Sequence, residues 1–358
     1  MAFTKNVVII NPMSSCQPTG MGVAGIGLLE CFPEYRDIFS ESIFRFINDR
    51  IKIGFLRLFL RQLSAEFFAW KHRNRILIIT THQGPLLRHR RCIVIVYDFI
   101  TLRHPFQSRL QVVGFLFLLP RILTNSTAVV VISKHVRKDL LGYLPWLGRK
   151  QIHVIPSIST RLDSFKAGGD EWPARLPSGR FLFVGANYLH KRLDVAIEAI
   201  ITLRRKGWNV TLDIVGVSKN VWEEAFGFNF EDLRHHGIVV QPYVSDANLE
   251  NLYAQAVALL FLSESEGLGL PPLEAMRKNC PVICNDTPEL RDTCGEAAFF
   301  VDIKRSDALA EILEQMMGGK LTKEIEQKIS LGDERARQFD KNNIAPMWSA
   351  LIQELDGI

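Results

Sequence analysis

The chain is 358 residues long, with 47% hydrophobic and 23% charged residues and a formal net charge of +5. That length leaves room for two domains with full cores, and the composition excludes a disordered or collagen-like chain. Apolar runs such as residues 112–119 fall far short of the roughly eighteen residues that a membrane-spanning helix needs. The opening MAFTKNVVIINP reads as a charged start running into a strand, not as a secretory signal.

In chain order, strands are predicted at 7–10, 76–80, 92–97, 128–132 and 152–155, each nearly continuous in β-branched and aliphatic residues. Such strands are expected in parallel sheets covered on both faces. Residues 156–179, rich in Pro, Ser, Gly and Asp, read as an interdomain linker. Strands then recur at 181–184, 211–215, 238–240, 258–262 and 281–284, with helices at 193–206, 246–256 and 306–317. A closing helix over 340–355 carries Ile344, Trp348, Leu351, Ile352 and Leu355 on one face. The six cysteines (Cys16, Cys31, Cys92, Cys280, Cys284, Cys294) form no C-x-x-C pair and have no histidine at zinc spacing. They are expected to be mostly small core residues in a reducing, cytoplasmic setting.

Charge divides unevenly. Residues 1–160 hold 21 Lys and Arg against 8 Asp and Glu, which leaves 22 against 30 for residues 161–358. An anionic partner is therefore expected at the first half. Within it, residues 42–75 mix Ile43, Phe44, Ile47, Ile51, Phe55, Leu58 and Phe59 with Arg50, Lys52, Arg57 and Arg61. One reading is a helix that buries one face; the other is a helix on an anionic membrane surface. Nucleic acid is not expected, since no binding module accompanies the basic residues.

The most specific chemistry lies in residues 261–285, FLSESEGLGLPPLEAMRKNCPVICN. An apolar strand enters a turn with Gly267 and Gly269, and Pro271-Pro272 mark the first turn of a helix. Glycines admit close backbone approach, and a helix N-terminus favours anions. Glu266 and Glu274 frame the turn, so amides are offered to a diphosphate and carboxylates to hydroxyls. A second glycine-bearing turn, Gly20-x-Gly22-x-x-Gly25, follows the first strand. Its spacing matches a dinucleotide fingerprint, but no acid closes a second strand about twenty residues on, which disfavours a nicotinamide enzyme.

SEGLGLPPLEAM, with the following PVI, Pro288-Glu289-Leu290 and Gly295-Glu296-Ala297-Ala298, resembles the donor-site signature of retaining glycosyltransferase family 4. The resemblance spans about residues 7–320. It implies a GT-B fold: an α/β chain of two Rossmann-like domains facing a cleft. It implies an acceptor-side domain over 1–160, a nucleotide-sugar domain over 161–340, and a C-terminal helix, 341–358, crossing back to the first. It further implies that Glu266 faces the transferred sugar and Glu274 the ribose, with Gly267, Leu268, Gly269 and Leu270 around the donor. Thr19-Gly20-Met21-Gly22 resembles the family's T-G-x-G loop near the donor phosphates.

Four further segments extend the resemblance. VIVYDFITLRHP matches V-x-x-H-D-x-x-x-L-x-x-P at Asp98, Leu102 and Pro105, with Tyr97 where the family has a histidine. Tyrosine can hydrogen-bond but cannot become cationic near neutral pH, so the donor-sugar contact at that position is altered. VVVISKHVRKDL matches at Ser133, Arg137, Asp139 and Leu140, with Ser133 an expected helix cap. FVGANYLHKRLD places Gly185 at a strand end and Lys191 at a helix start, where the family neutralises the donor diphosphate. There His190 stands where arginine is common, and Arg192 lies one beyond. QPYVSDANLENLY supplies Tyr243 and Val244 near the base, with Asp246 as a helix cap.

The implied reaction is retaining transfer of a hexose, mannose-like, from a GDP- or UDP-sugar to a glycan or lipid-diphosphate acceptor in surface polysaccharide assembly. Neither metal nor cofactor is expected. The setting is cytoplasmic, with peripheral contact at the inner membrane face through residues 42–75. A nucleotide-sugar epimerase and an inactive nucleotide-sugar-binding subunit remain as alternatives.

Overall fold

The computed structural model describes residues 6–15, 21–105, 112–165, 172–185, 188–216, 223, 229–241, 244–305 and 307–357. The chain divides into two compact units, Met1–Thr160 with Phe339–Ile358, and Arg161–Gln338.

The first unit is built on a five-stranded parallel sheet in the order β1-β2-β3-β4-β5. Its strands are β1 (Val7–Ile10), β2 (Ile76–Ile79), β3 (Cys92–Val96), β4 (Ala128–Val131) and β5 (Gln151–Val154). Every residue of β1 to β4 is buried, as an aliphatic run covered on both faces requires. Between β1 and β2 lie three helices: α1 (Met21–Cys31), α2 (Ile38–Arg50) and α3 (Gly54–Lys71). The basic stretch 42–75 is thus two helices, separated by the extended residues 51–53, not one. Asp37 caps α2 by accepting the N–H groups of Phe39 and Ser40, and its carboxylate also meets His72 at 2.7 Å at the end of α3. The C-terminal helix, Lys341–Asp356, belongs to this unit, packs against β2 and buries Ile344, Trp348, Leu351, Ile352 and Leu355.

The second unit carries a six-stranded parallel sheet in the order β11-β10-β9-β6-β7-β8. It comprises β6 (Arg180–Val184), β7 (Thr211–Val215), β8 (Ile238–Gln241), β9 (Ala258–Phe261), β10 (Val282–Asn285) and β11 (Phe299–Val301). The chain builds outward from β6 to β8, then returns to the other side of β6 with β9. The carboxyl ends of β6 and β9 therefore flank a topological switch point, where an open α/β sheet leaves a crevice.

The boundary between the two units falls within the expected linker, but its described residues 172–179 are packed into the second unit. Trp172 is buried and donates its indole N–H to the carbonyl of Val257 at 2.9 Å. Arg175, 2% exposed, donates to the carbonyls of Asn279 at 3.1 Å, Lys278 at 3.2 Å and Ala256 at 3.4 Å. These carbonyls close the helices Asp246–Gln255 and Leu270–Arg277, where a cation complements the helix dipoles. Polar composition suggested a connector because the partners that bury it lie eighty to a hundred residues away.

Candidate functional site

Two loops meet at the switch point of the second unit. After β6 the chain passes Gly185 and makes one 3-10 turn, Leu189–Lys191. Arg192 then adopts a left-handed conformation (φ 53°) before the helix Leu193–Arg205 begins. Lys191 therefore ends a tight turn instead of opening the helix. After β9, residues 262–269 lead to the helix Leu270–Arg277, whose N-cap Gly269 has φ 83°. A side chain there is strained, and an added Cβ meets Leu290 at 3.3 Å. Pro271 and Pro272 lie in the first turn of this helix.

The backbone N–H of Glu264 donates to the carbonyl of His190 at 2.8 Å and joins the two loops. Asn285 at the end of β10 donates to the Ser263 carbonyl at 3.1 Å, and the Thr293 hydroxyl donates to that of Leu268. Gly216, at the end of β7, has φ 86°, and an added Cβ would lie 2.5 Å from the Gly185 carbonyl. Backbone, not side chain, thus fills the space beside the turn after β6.

In this frame the Lys191 ammonium donates directly to the Glu266 carboxylate across 75 residues of sequence. The two side chains are 15% and 10% exposed, and the ammonium also lies 5.4 Å from the Phe261 ring centroid. Such a pair is held by packing but still reachable from solvent. It offers one cation and one acceptor beside a helix N-terminus.

Glu274 lies deeper, at 2% exposure. It accepts the Tyr253 hydroxyl at 3.1 Å and stands 3.9 Å from the Arg161 guanidinium. Burial, then the Glu274 charge, pushes the Tyr253 hydroxyl well above its ordinary pKa, so it stays a donor. For Arg161, burial acts to lower the pKa, but Glu274 and Asp246 together raise it. Arg161 also donates to Asp246 at 2.8 Å. Asp246 is therefore an ion-pair partner in the first helical turn, and the cap is Ser245, whose hydroxyl accepts the Asn248 N–H at 3.3 Å. Val244 immediately precedes that cap.

Other expected residues stand differently. His190 is 3% exposed and stacks on Tyr188, with centroids 5.5 Å apart, so its ring is packed inside the loop. Arg192 is committed to Asp194 at 3.0 Å and Glu264 at 2.9 Å. Gly22 lies within α1 and is buried, its carbonyl accepting from Asn11 at 3.4 Å; it is not a turn glycine. Gly20 and Tyr243 lie outside the described residues. In the first unit, Tyr97 follows β3 at 7% exposure, and burial raises its hydroxyl pKa. Asp98 accepts the Ile100 N–H at 3.0 Å, two residues before the helix Ile100–Arg103, whose N-cap is Phe99, and also lines a cavity. Sequence reasoning missed Arg161 and Tyr253, which hold Glu274; Tyr253 lay within a quoted motif, but nothing in its spacing reported that contact.

Residues 171–335, nearly all of the second unit, match the family model described as glycosyl transferases group 1. The chain is 29% identical over 293 residues to the O-antigen chain mannosyltransferase RfbU of Salmonella typhimurium, covering 78% of each. It is 27% identical over 246 residues to the serotype-specific mannosyltransferase WbdA of Escherichia coli, covering 62% of this chain but 29% of that longer protein. Among solved structures, Anabaena Alr3699/HepE in complex with UDP superposes with a TM-score of 0.70 at 14% identity, covering 98% of this chain and 100% of that one. Lys191, Glu266 and Glu274 all lie within the segment that matches the group 1 glycosyl transferase model, and the chain as a whole has a two-unit α/β fold like that of HepE.

Proposed function

We propose that the protein transfers mannose, with retention of anomeric configuration, from GDP-mannose to a lipid-linked glycan during surface polysaccharide assembly. The observation that carries this is the Lys191–Glu266 pair at the switch point, in a chain similar to two mannosyltransferases. In the proposed reaction the acceptor hydroxyl forms a bond to the anomeric carbon as the bond to the diphosphate oxygen breaks, on the same face. The hydroxyl proton passes to the leaving phosphate oxygen. Lys191 and the N-terminus of the Leu270–Arg277 helix stabilise the charge that develops there, so the step is proposed to need no metal. Glu266 accepts sugar hydroxyls, and Glu274, held by Tyr253 and Arg161, receives the ribose.

Attachment at the membrane surface is part of this reading. No helix of the described residues is long and apolar enough to cross a membrane. Along α3, however, Phe55, Phe59, Leu63, Phe67 and Trp70 are exposed at i, i+4 and i+3 spacing. At 1.5 Å per residue the stripe is about 22 Å long. Ile53, Phe46 and Phe39 are exposed on the adjoining segment and α2. Arg45, Arg50, Lys52, Lys71, Arg73 and Arg75 accompany them, also exposed, which suits an anionic lipid surface.

The test is direct incubation with GDP-mannose and a lipid-linked oligosaccharide, with UDP-hexoses and a chelator as parallel arms and NMR of the product's anomeric proton. An inverted linkage, a requirement for UDP-hexose, or loss of activity with chelator would each overturn the corresponding part.

A further inference from the structure

The first unit contains a cavity of about 200 Å³ beside α3. At the liquid volume of water that is room for roughly six molecules. Its polar lining includes Arg57, Arg61, His82, Gln83 and Asp98, and its apolar lining includes Leu58, Phe115 and Ile122.

Cations outnumber acids in this cavity: Arg57 and Arg61 share its lining with one carboxylate among the described residues, Asp98. Arg61 donates from Nε to the neutral Asn48 at 2.5 Å. Among the described residues neither Arg57 nor Arg61 forms an ion pair. Burial, and then repulsion from Arg57, lowers the Arg61 pKa to about 10, which leaves it charged at neutral pH. Burial, and then Arg61, lowers the His82 pKa to about 4, so this ring stays neutral and adds a hydrogen-bonding group without charge. The sequence offers little relief: residues 51–138 hold fifteen Lys and Arg against two acids, Glu66 and Asp98. Glu66 accepts the Leu86 N–H; Asp98 accepts the Ile100 N–H and, though it lines the cavity, forms no ion pair with Arg57 or Arg61. A second orphan lies nearby, since the Gln83 Oε1 atom is enclosed without a hydrogen-bond partner among the described residues.

A guanidinium withdrawn from water with a second cation one helical turn away is costly unless an anion completes the site. Two forked donors on one helix face suit the oxygens of phosphate or diphosphate. Gln83 remains as an acceptor for a hydroxyl, and the aliphatic wall suits a hydrocarbon chain.

We infer that the cavity beside α3 is an anion subsite in which Arg57 and Arg61 hold the phosphate or diphosphate of a lipid-linked acceptor, with its first alkyl carbons against Leu58, Phe115 and Ile122. This rests on the lipid-linked acceptor proposed above, and it names the residues that take its phosphate. It also explains why the membrane-facing helix carries cations on the side away from its aromatic stripe.

The test measures binding of inorganic pyrophosphate to the full chain by calorimetry, with saturating GDP occupying the second unit. Wild-type protein is expected to bind one equivalent, and Arg61→Gln to lose about ten- to a hundredfold in affinity, the range of one charge-assisted contact. Arg57→Gln, which breaks no side-chain hydrogen bond among the described residues, is expected to lose affinity in the same direction and decides the matter if Arg61→Gln does not fold. A second arm compares phosphatidylcholine vesicles doped with a polyprenyl phosphate against vesicles of equal charge made with phosphatidylglycerol. Selective loss of the polyprenyl phosphate preference in the variants supports the lipid source. Loss of pyrophosphate binding alone, with that preference intact, overturns it in favour of free phosphate. Unchanged pyrophosphate affinity overturns the subsite altogether. GDP affinity is measured in the same proteins: its absence from wild type would count against the donor reading, whereas its retention with unchanged pyrophosphate binding isolates the failure to this cavity.

Discussion

Glu266→Gln is the perturbation that separates two roles of the ion pair at the switch point. The Lys191 ammonium donates to the Glu266 carboxylate. In the proposed reaction a donor diphosphate approaches the same ammonium, so the carboxylate and an incoming phosphate oxygen lie on either side of it, roughly 5 Å apart. At that separation, with an effective dielectric between 40 and 80 for side chains still reachable by water, the repulsion is about 1–2 kcal/mol. Neutralising Glu266 removes it and leaves Lys191 free for phosphate. GDP affinity should therefore rise about five- to thirtyfold. Turnover should move the opposite way: the amide no longer accepts sugar hydroxyls as a charged group, a loss on the order of a hundredfold. Calorimetry with GDP and steady-state transfer rates read the two effects independently. If GDP affinity falls in step with turnover, Glu266 serves only to position Lys191, and the assignment of the carboxylate to the sugar is wrong.

Tyr253→Phe removes one donor from Glu274 but leaves Arg161; a stability loss of about 1 kcal/mol is expected, with GDP affinity nearly intact. Glu274→Ala should cost more stability and weaken GDP as well; equal GDP affinity in both variants would remove Glu274 from the ribose. Replacing Phe59 and Phe67 together by glutamate should reduce sedimentation with phosphatidylglycerol-containing vesicles by about a hundredfold or more, since each ring contributes roughly 1.5–3 kcal/mol when buried. Unaltered sedimentation would place the contact elsewhere. The His82 pKa, about 4 in the folded chain against 6.5, means that the unfolded chain binds more protons between those values. Its contribution is therefore complete above about pH 6.5 and is lost as pH falls toward 4. The full shift corresponds to about 3 kcal/mol, reduced to roughly 1–2 because the ring borders an open cavity. Denaturant unfolding at pH 7 and 4.5 should show that difference in wild type and a smaller one in His82→Asn.

What could be read without coordinates was whatever a residue states about its own surroundings. The strands β1 to β4 and β9 were legible because buried parallel strands are apolar along their whole length. The three-residue β11 and the helix Thr322–Arg337 were not, one being too short for a pattern and the other largely polar. The turn before Leu270–Arg277 was legible through its prolines and glycines, which report backbone geometry locally.

Tertiary structure alone decided the pairings. Lys191 and Glu266 meet because the strand order reverses between β6 and β9, and no local signal specifies strand order. The same holds for Arg175, whose acceptors are carbonyls at two distant helix ends, and for Asp246, which took Arg161 as partner and left the cap to Ser245. Basic character in residues 42–75 was evident from composition, but its division was not. Only the packing of α2 and α3 separated the aromatic stripe left in solvent from the arginines turned toward the cavity. Short-range propensity acts within a few residues, whereas a site assembled from loops depends on which elements the core brings side by side.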